Sequence, residues 1–469
     1  MSPPTNAVRT ISQEAFDELV KENMDDLGMD PAESLQDAIE TLTLQGVDLS
    51  GIVTCVPGEG GVDDNPVIQC LNKLKAFPKD QNLDSVARLF ENLAELCSVQ
   101  GSGNAAIATK NGAVELICSL CSEIQIEQEK ALVSTLKAMS SVLHDLQSTE
   151  TFRASGGPSI VVNILNGGVQ NLDILNSGFA VVAAAVTGNE VLKDEFMELK
   201  IDELILHALN RPGEGSIQSL YDAIRVLLTP DDNRVLASQC FPGKPLNALN
   251  KVYGYARKFA KIGIAEALVA SLQTELSSPS LVSASIALKA VADEICRSIA
   301  ENGGIDALLR CIDDSGEQGN KSVARVCCSL LSKLAGSDTN KNVIIEKGGL
   351  DRLIKLAARF SDDPSVLHEV MSIISILSLR SPERAARAME AGSGDLAIQA
   401  MQKFPAAQQM QKSACLMIRN LVARNPENRT ILLNNGVEKH IRKTKQNHEF
   451  CREAATDALR DLGLDDYNS

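Results

Sequence analysis

Apolar residues recur along most of this chain at three- and four-residue spacing, as in VSTLKAMSSVLHDL and SACLMIRNLVARN. They fall on more faces than an isolated surface helix can bury, so both flanks of such helices must be covered by neighbours. Between these runs a phrase returns: KNGAVELICSL, ASGGPSIVVNIL, ENGGIDALLRCI, EKGGLDRLIKLA, EAGSGDLAIQAM and NNGVEKHIRKT, with glycine at 112, 156, 303, 348, 392 and 436. ELKIDELILHAL and AKIGIAEALVASL fit the same frame with Lys200 and Ile262 in the glycine position. The successive steps are 44, 44, 62, 41, 45, 44 and 44 residues, a helical-solenoid period with an insertion in the one long step.

Each unit reads as three helices. A short one, such as TNKNVIIEK, ends at the glycine, which turns the chain in a left-handed conformation free of Cβ strain. A second begins with an apolar residue and usually an acid (Glu115, Asp202, Glu266, Asp306, Asp351, Asp395, Glu438), which favours the positive end of the helix dipole. The third is the long apolar run. This pattern resembles the armadillo repeat over residues 66–462, and the fold implied is an all-α, right-handed armadillo-repeat superhelical solenoid. Before it, residues 10–44 predict two amphipathic helices. The first is expected to start at a capping box, Thr10 with Gln13, and the second at Asp30-Pro31-Ala32-Glu33. With QGVDLSGIV following, this segment resembles the family of armadillo repeat-containing protein 6. That family supplies no catalytic residues to carry over. Two regions are expected: an acidic N-terminal segment, 1–64, and a solenoid, 65–469, with an insertion around 230–261.

Composition supports helices over sheets. Aromatics are 3 % and Trp is absent, so Leu, Ile, Val, Ala and Cys must fill the core. The longest apolar run, Phe179 to Val186, is far too short to span a membrane, and the start MSPPTNAVRT has no signal-peptide core. Twelve scattered cysteines read as reduced core residues, which predicts a cytoplasmic protein, with the nucleus as a second location. The net charge of −16 is uneven: residues 1–64 hold fourteen acids and two bases, and the remainder is nearly neutral at −4. That balance argues against nucleic acid as a ligand for the body as a whole.

Armadillo proteins that resemble importin-α bind peptides with Trp and Asn on the third helix, four residues apart. The Asn position here reads Asn92, Ser141, Ala185, Thr229, Asp293, Lys333, about Ile376, and Asn420, so the backbone-clamping ladder is missing. Four residues earlier the chain reads Arg88, Lys137, Val181, Arg225, Lys289, Ser329, about Ser372, and Leu416. Stacking would align Arg88, Lys137, Arg225 and Lys289 as a basic stripe suited to an extended acidic peptide, as in catenin-like members. The plainer reading is solvated helix surface. The N-terminal segment is itself an acidic candidate for that stripe. The alternative is that it caps the first repeat through Phe16, Leu19, Leu35, Ile39 and Leu42. The insertion carries Lys251, Tyr253, Tyr255, Arg257 and Lys258, a basic–aromatic mix suited to nucleic acid or anionic lipid headgroups, unless its aromatics pack inward.

Local catalytic motifs are missing. Gly58–Gly61 precedes Asp63 and Asp64, which repel phosphate, and GEQGNKS at 316–322 lacks the P-loop Gly-Lys-Ser junction. Cys118-Ser-Leu-Cys121 is one CxxC without a second pair. Five histidines are dispersed, and His448 with Cys451 makes two ligands, too few for a metal site. The expectation is a non-catalytic scaffold without metal or cofactor, binding a protein partner of unknown identity.

Overall fold

The computed structural model describes residues 9–57, 62–76, 83–99, 101–211, 217–229, 246–273 and 277–464, with the side chains of 246–253, 293 and 294 outside the description. The chain divides into two compact units, residues 1–208 with 222–252, and residues 209–221 with 253–469.

The first unit begins with a helical hairpin, α1 (Gln13–Asp25) and α2 (Pro31–Leu44). Two-residue strands, β1 (Arg9–Thr10) and β2 (Val47–Asp48), pair in parallel and close its ends. Its apolar faces meet in a small core of Phe16, Val20, Ala38, Leu42 and Ile52, with Leu19, Leu35 and Ile39 packed against it. Asp30 caps α2 as expected, its carboxylate accepting from the backbone N–H groups of Ala32 and Glu33. The start of α1 differs from expectation. Ser12 is the cap, accepting from Ala15 N–H at 3.2 Å, because Thr10 is drawn into β1. Gln13 does not return to Thr10. Its amide makes a paired contact with the backbone of Val53, donating at 3.0 Å and accepting at 2.8 Å.

Repeats follow. α3 (Pro66–Lys75) and α4 (Leu83–Ser98) form an atypical first one. Complete triplets are α5 (Asn104–Lys110), α6 (Ala113–Glu123) and α7 (Glu129–Val142), then α8 (Leu146–Ala154), α9 (Gly157–Gly167) and α10 (Leu172–Val186). Next come α11 (Glu190–Glu198), α12 (Ile201–Leu209) and α13 (Gln218–Leu227), and past the insertion α14 (Leu246–Lys261). The third helices α4, α7 and α10 lie side by side in that order.

In the second unit, α15 (Ile264–Leu272) leads into α16 (Ser278–Glu301), which breaks at Ile295 and so joins a third helix to the short first helix of the next repeat. The rest are α17 (Gly304–Gln318), α18 (Lys321–Leu334), α19 (Asp338–Glu346), α20 (Gly349–Arg359) and α21 (Pro364–Ser378). Then come α22 (Pro382–Glu390), α23 (Ser393–Lys403), α24 (Gln408–Val422), α25 (Pro426–Asn434), α26 (Val437–Asn447) and α27 (Arg452–Asp461). Third helices α16, α18, α21, α24 and α27 pack in series. Ion pairs tie α17 to the next repeat, from Asp306 to Lys347 at the end of α19 at 2.7 Å and from Asp313 to Arg352 on α20 at 2.6 Å.

The repeated double glycine divides its labour. Gly348 sits at φ 73°, and Gly349 starts α20 so close to the preceding helix that a Cβ there would lie 2.6 Å from the Ile344 carbonyl oxygen. The 262 frame is corrected by one residue. Gly263, at φ 88°, makes the turn, and Ile262 lies between it and the end of α14 at Lys261. Lys200 adopts the left-handed turn at φ 62° without being glycine. GEQGNKS is the helix junction Gly319-Asn320, in which Asn320 caps α18.

Candidate partner-binding face

The face builds up from the helical repeat of the third helices. On α4, Asp84, Arg88 and Glu91 lie at four- and three-residue spacing, one stripe of the helix. On α7, Lys130, Ser134 and Lys137 do the same. The stripes are in register: Lys130 pairs with Asp84 at 3.6 Å, and Ser134 donates to Glu91 at 3.1 Å. Arg88 and Lys137 are exposed and interleaved with carboxylates, so this part of the row is mixed in charge. Val181 on α10 is fully buried and interrupts it. Arg225 is half-exposed and lies 3.8 Å from Asp222.

In the second unit, Lys289 on α16 donates to Ser329 on α18 at 2.6 Å. These are consecutive members of the row expected from sequence, and they are spatial neighbours. Beyond them the rungs are polar: His368 Nδ1 lies 2.7 Å from Ser413 Oγ, and Ser372 Oγ lies 3.1 Å from it. Arg419 on α24 pairs with Asp457 and Asp461 of α27 at 2.8 and 3.3 Å.

Of the two asparagines in the interrupted ladder, Asn420 has partners within the fold. Asn420 gives its amide hydrogens to the carbonyl and hydroxyl of Ser375, at 2.9 and 2.8 Å. Asn92 lies near Cys70, whose thiol donates to the Leu89 carbonyl at 3.2 Å and is pushed up by burial against the opposing influence of Asn92 and Lys73.

In the insertion, the side chains of Lys251 and Tyr253, like residues 230–245, lie outside the described residues. Tyr255 and Phe259 are buried, while Arg257 and Lys258 face outward. The described part therefore separates its aromatics from its bases, and sequence pattern alone could not assign the sides.

The N-terminal hairpin presents exposed acids, including Glu14, Glu18, Glu22, Asp25 and Asp26. Its apolar residues pack chiefly on one another. It meets the repeats beside α5: a Cβ on Gly51 would fall 2.8 Å from the Lys110 side chain and 3.1 Å from the Ala106 carbonyl oxygen.

The buried thiols behave as core. Burial first, then the charge of Glu115, pushes Cys118 up to about 12, and Cys121 is raised as well. His448 and Cys451 are each engaged by backbone, at Pro405 and Gln408 carbonyls. Among the described residues, no three His, Cys, Asp or Glu side chains converge as a metal set, and no helix is long and apolar enough to cross a membrane.

The fold has solved counterparts. A structure described as "A conserved phosphorylation switch controls the interaction between cadherin and beta-catenin in vitro and in vivo" superposes over 95 % of this chain and 80 % of its own, at TM-score 0.60 and 15 % identity. Residues 8–75 match the model of the armadillo repeat-containing protein 6 N-terminal domain. The chain has an armadillo-repeat fold and resembles armadillo repeat-containing protein 6. The human protein of that name is 26 % identical over 397 residues, covering 80 % of this chain and 75 % of the relative. The Drosophila melanogaster homolog is 23 % identical over 395 residues, covering 82 % and 80 %. The N-terminal match includes the hairpin and continues through α3, the first helix of the armadillo stack.

Proposed function

We propose that this armadillo-repeat chain is a non-catalytic scaffold that holds an extended segment of a partner protein along its third helices. The observation that carries it is the serial alignment of exposed side chains on adjacent third helices, Arg88 beside the α7 stripe bearing Lys137, and Lys289 bonded to Ser329. The mixed charge of α4 and α7 favours a ligand that alternates acid and base over a purely acidic one. Acids of the partner would meet Arg88, Lys137 and Arg225 in the first unit, and Lys289 in the second. The similar beta-catenin fold, described through its interaction with cadherin, is in keeping with such a role. Because the N-terminal hairpin keeps its own core and Gly51, just past β2, touches α5, we read this segment as a cap on the start of the stack that leaves α4 and α7 open. A cytoplasmic setting, with access to the nucleus, suits the unpaired thiols.

The test is affinity purification with mass spectrometry, comparing wild type with Arg88→Glu/Lys137→Glu and with Lys289→Glu. Partners lost from either variant while its melting point holds support the groove. Identical partner sets sink it. Deleting residues 1–64 should lower solubility without adding partners.

A further inference from the structure

Stacking leaves a notch between successive second helices, and in the described part of the second unit one such notch recurs one repeat later. The first, about 460 Å³, lies between α20 and α23, and the second, about 230 Å³, between α23 and α26. Their linings correspond position by position at a spacing of 44 residues: Asp395 with Lys439, Leu396 with His440, Gln399 with Lys443, and Leu367 with Gln411. The notch is therefore a product of the repeat, and its chemistry is free to vary. In the first it is largely apolar, with one acid, Asp395, and one base, Lys403. In the last the acid has become Lys439, the leucine His440 and the glutamine Lys443.

The floor of the last notch is closed to further bonding. Gln411 is 1 % exposed, donates to the Met401 and Phe404 carbonyls, and accepts from Thr444 Oγ1 at 2.5 Å. The walls do the opposite. No carboxylate lines the notch, and Glu438, the acid adjacent in sequence, is paired with Arg442 at 2.7 Å. Two ammonium groups and an imidazole thus gather around one cavity without a counter-charge in its lining. Like charges held together in this way repel, and an anion relieves that repulsion. His440 registers it: partial burial, then the charges of Lys439 and Lys443, hold its pKa below the ordinary value.

We propose that the notch between α23 and α26 is a binding site for a phosphate monoester, held by Lys439, Lys443 and the His440 imidazole. A compact dianion matches several donors converging on a cavity of this size, and a dianion compensates two fixed cations where a carboxylate compensates one. The neighbouring charges are otherwise occupied. Lys403, one residue past Gln402 of the lining, donates to the Ser361 carbonyl, Lys412 stacks over Phe450, and His448 contacts the Pro405 carbonyl. The site is independent of the third-helix face, so either can fail alone.

The experiment uses the full chain with labelled histidine. The His440 imidazole resonance is assigned with His440→Gln and titrated against pH with O-phosphoserine, with aspartate, and with vesicles carrying a phosphoinositide headgroup. Phosphoserine is expected to raise the His440 pKa by at least half a unit and to bind more tightly as pH falls through it. Lys439→Glu/Lys443→Glu should weaken binding at least tenfold while circular dichroism is unchanged. Lys403→Glu, in the preceding notch, should leave it unaltered. Response to phosphoserine assigns a soluble or peptide phosphate, and response to vesicles alone assigns a lipid source of the same group. An unmoved His440 resonance with every phosphate, an equal response to aspartate, or full binding by the charge-reversed variant overturns the proposal.

Discussion

The ammonium group of Lys193, wholly buried, donates to the carbonyl oxygen of Thr229 at 2.6 Å. Thr229 follows α13, the third helix, and Lys193 belongs to α11, the short first helix of the same repeat. The lysine also pairs with Glu190 at 2.9 Å, and Glu190 is only 11 % exposed. Removing one partner of a buried pair strands the other, which typically costs about 3–5 kcal/mol. Lys193→Met should therefore lower stability by about 3 kcal/mol in urea unfolding. Adding Glu190→Gln should recover part of the loss. A neutral Lys193→Met would mean that water, and not the ammonium, serves the Thr229 carbonyl.

The turn glycines separate two effects. Gly348→Ala meets only the left-handed backbone, which costs about 1–2 kcal/mol for a residue with Cβ. Gly349→Ala has ordinary helical backbone but drives Cβ into Ile344, so a loss of about 2 kcal/mol is expected from overpacking. Lys200→Gly runs the other way and should gain about 1 kcal/mol by relieving the same strain. Its exposed ion pair with Glu203 contributes little against that. Thermal midpoints of the three variants would rank these terms directly.

Asp363 links stability to pH. Burial raises its pKa, but hydrogen bonds from the Val366 and Ser365 N–H groups and from Lys321 outweigh that, and the carboxyl titrates below its usual range. A depressed carboxyl contributes stability above its unfolded pKa, near 3.9, and loses it as pH falls through the lower folded value. Asp363→Ala removes both the cap of α21 and the Lys321 pair at 3.1 Å, for an expected loss of about 1–2 kcal/mol at pH 7. The gap from wild type should shrink in denaturant titrations as pH falls below about 4, through the lowered folded value. A gap that stays constant with pH would place the effect in packing.

The two thiols of α6 should be silent. Nine of the described cysteines are buried, and burial pushes Cys97, Cys118 and Cys415 up to about 12. Alkylation needs the thiolate, so native protein at neutral pH should leave the peptide holding Cys118 and Cys121 unlabelled until denaturant is added. Mass spectrometry of digested, pulse-labelled protein reads this, and early labelling there would show that α6 opens locally.

Sequence by itself determined the repeat, because its marks are local. A left-handed turn selects glycine, a helix start selects an Asx cap as at Asp30, and a buried helix needs apolar residues on several faces. These constraints act within a few residues, so their period of about 44 could be read directly. It also placed Lys289 and Ser329 in one row, since stacked repeats preserve register. Tertiary structure decided what depends on side-chain direction and on competing partners. Thr10 lost its cap role to strand pairing, the turn near 262 moved to Gly263, and Tyr255 and Phe259 turned inward while Arg257 and Lys258 faced out. The Asn420 amide was taken by Ser375, 45 residues away, and Lys439 and Lys443 acquired a shared cavity only because α26 packs on α23. Chain spacing along one helix does not encode what a second helix brings opposite it, and that is where the candidate chemistry of this protein resides.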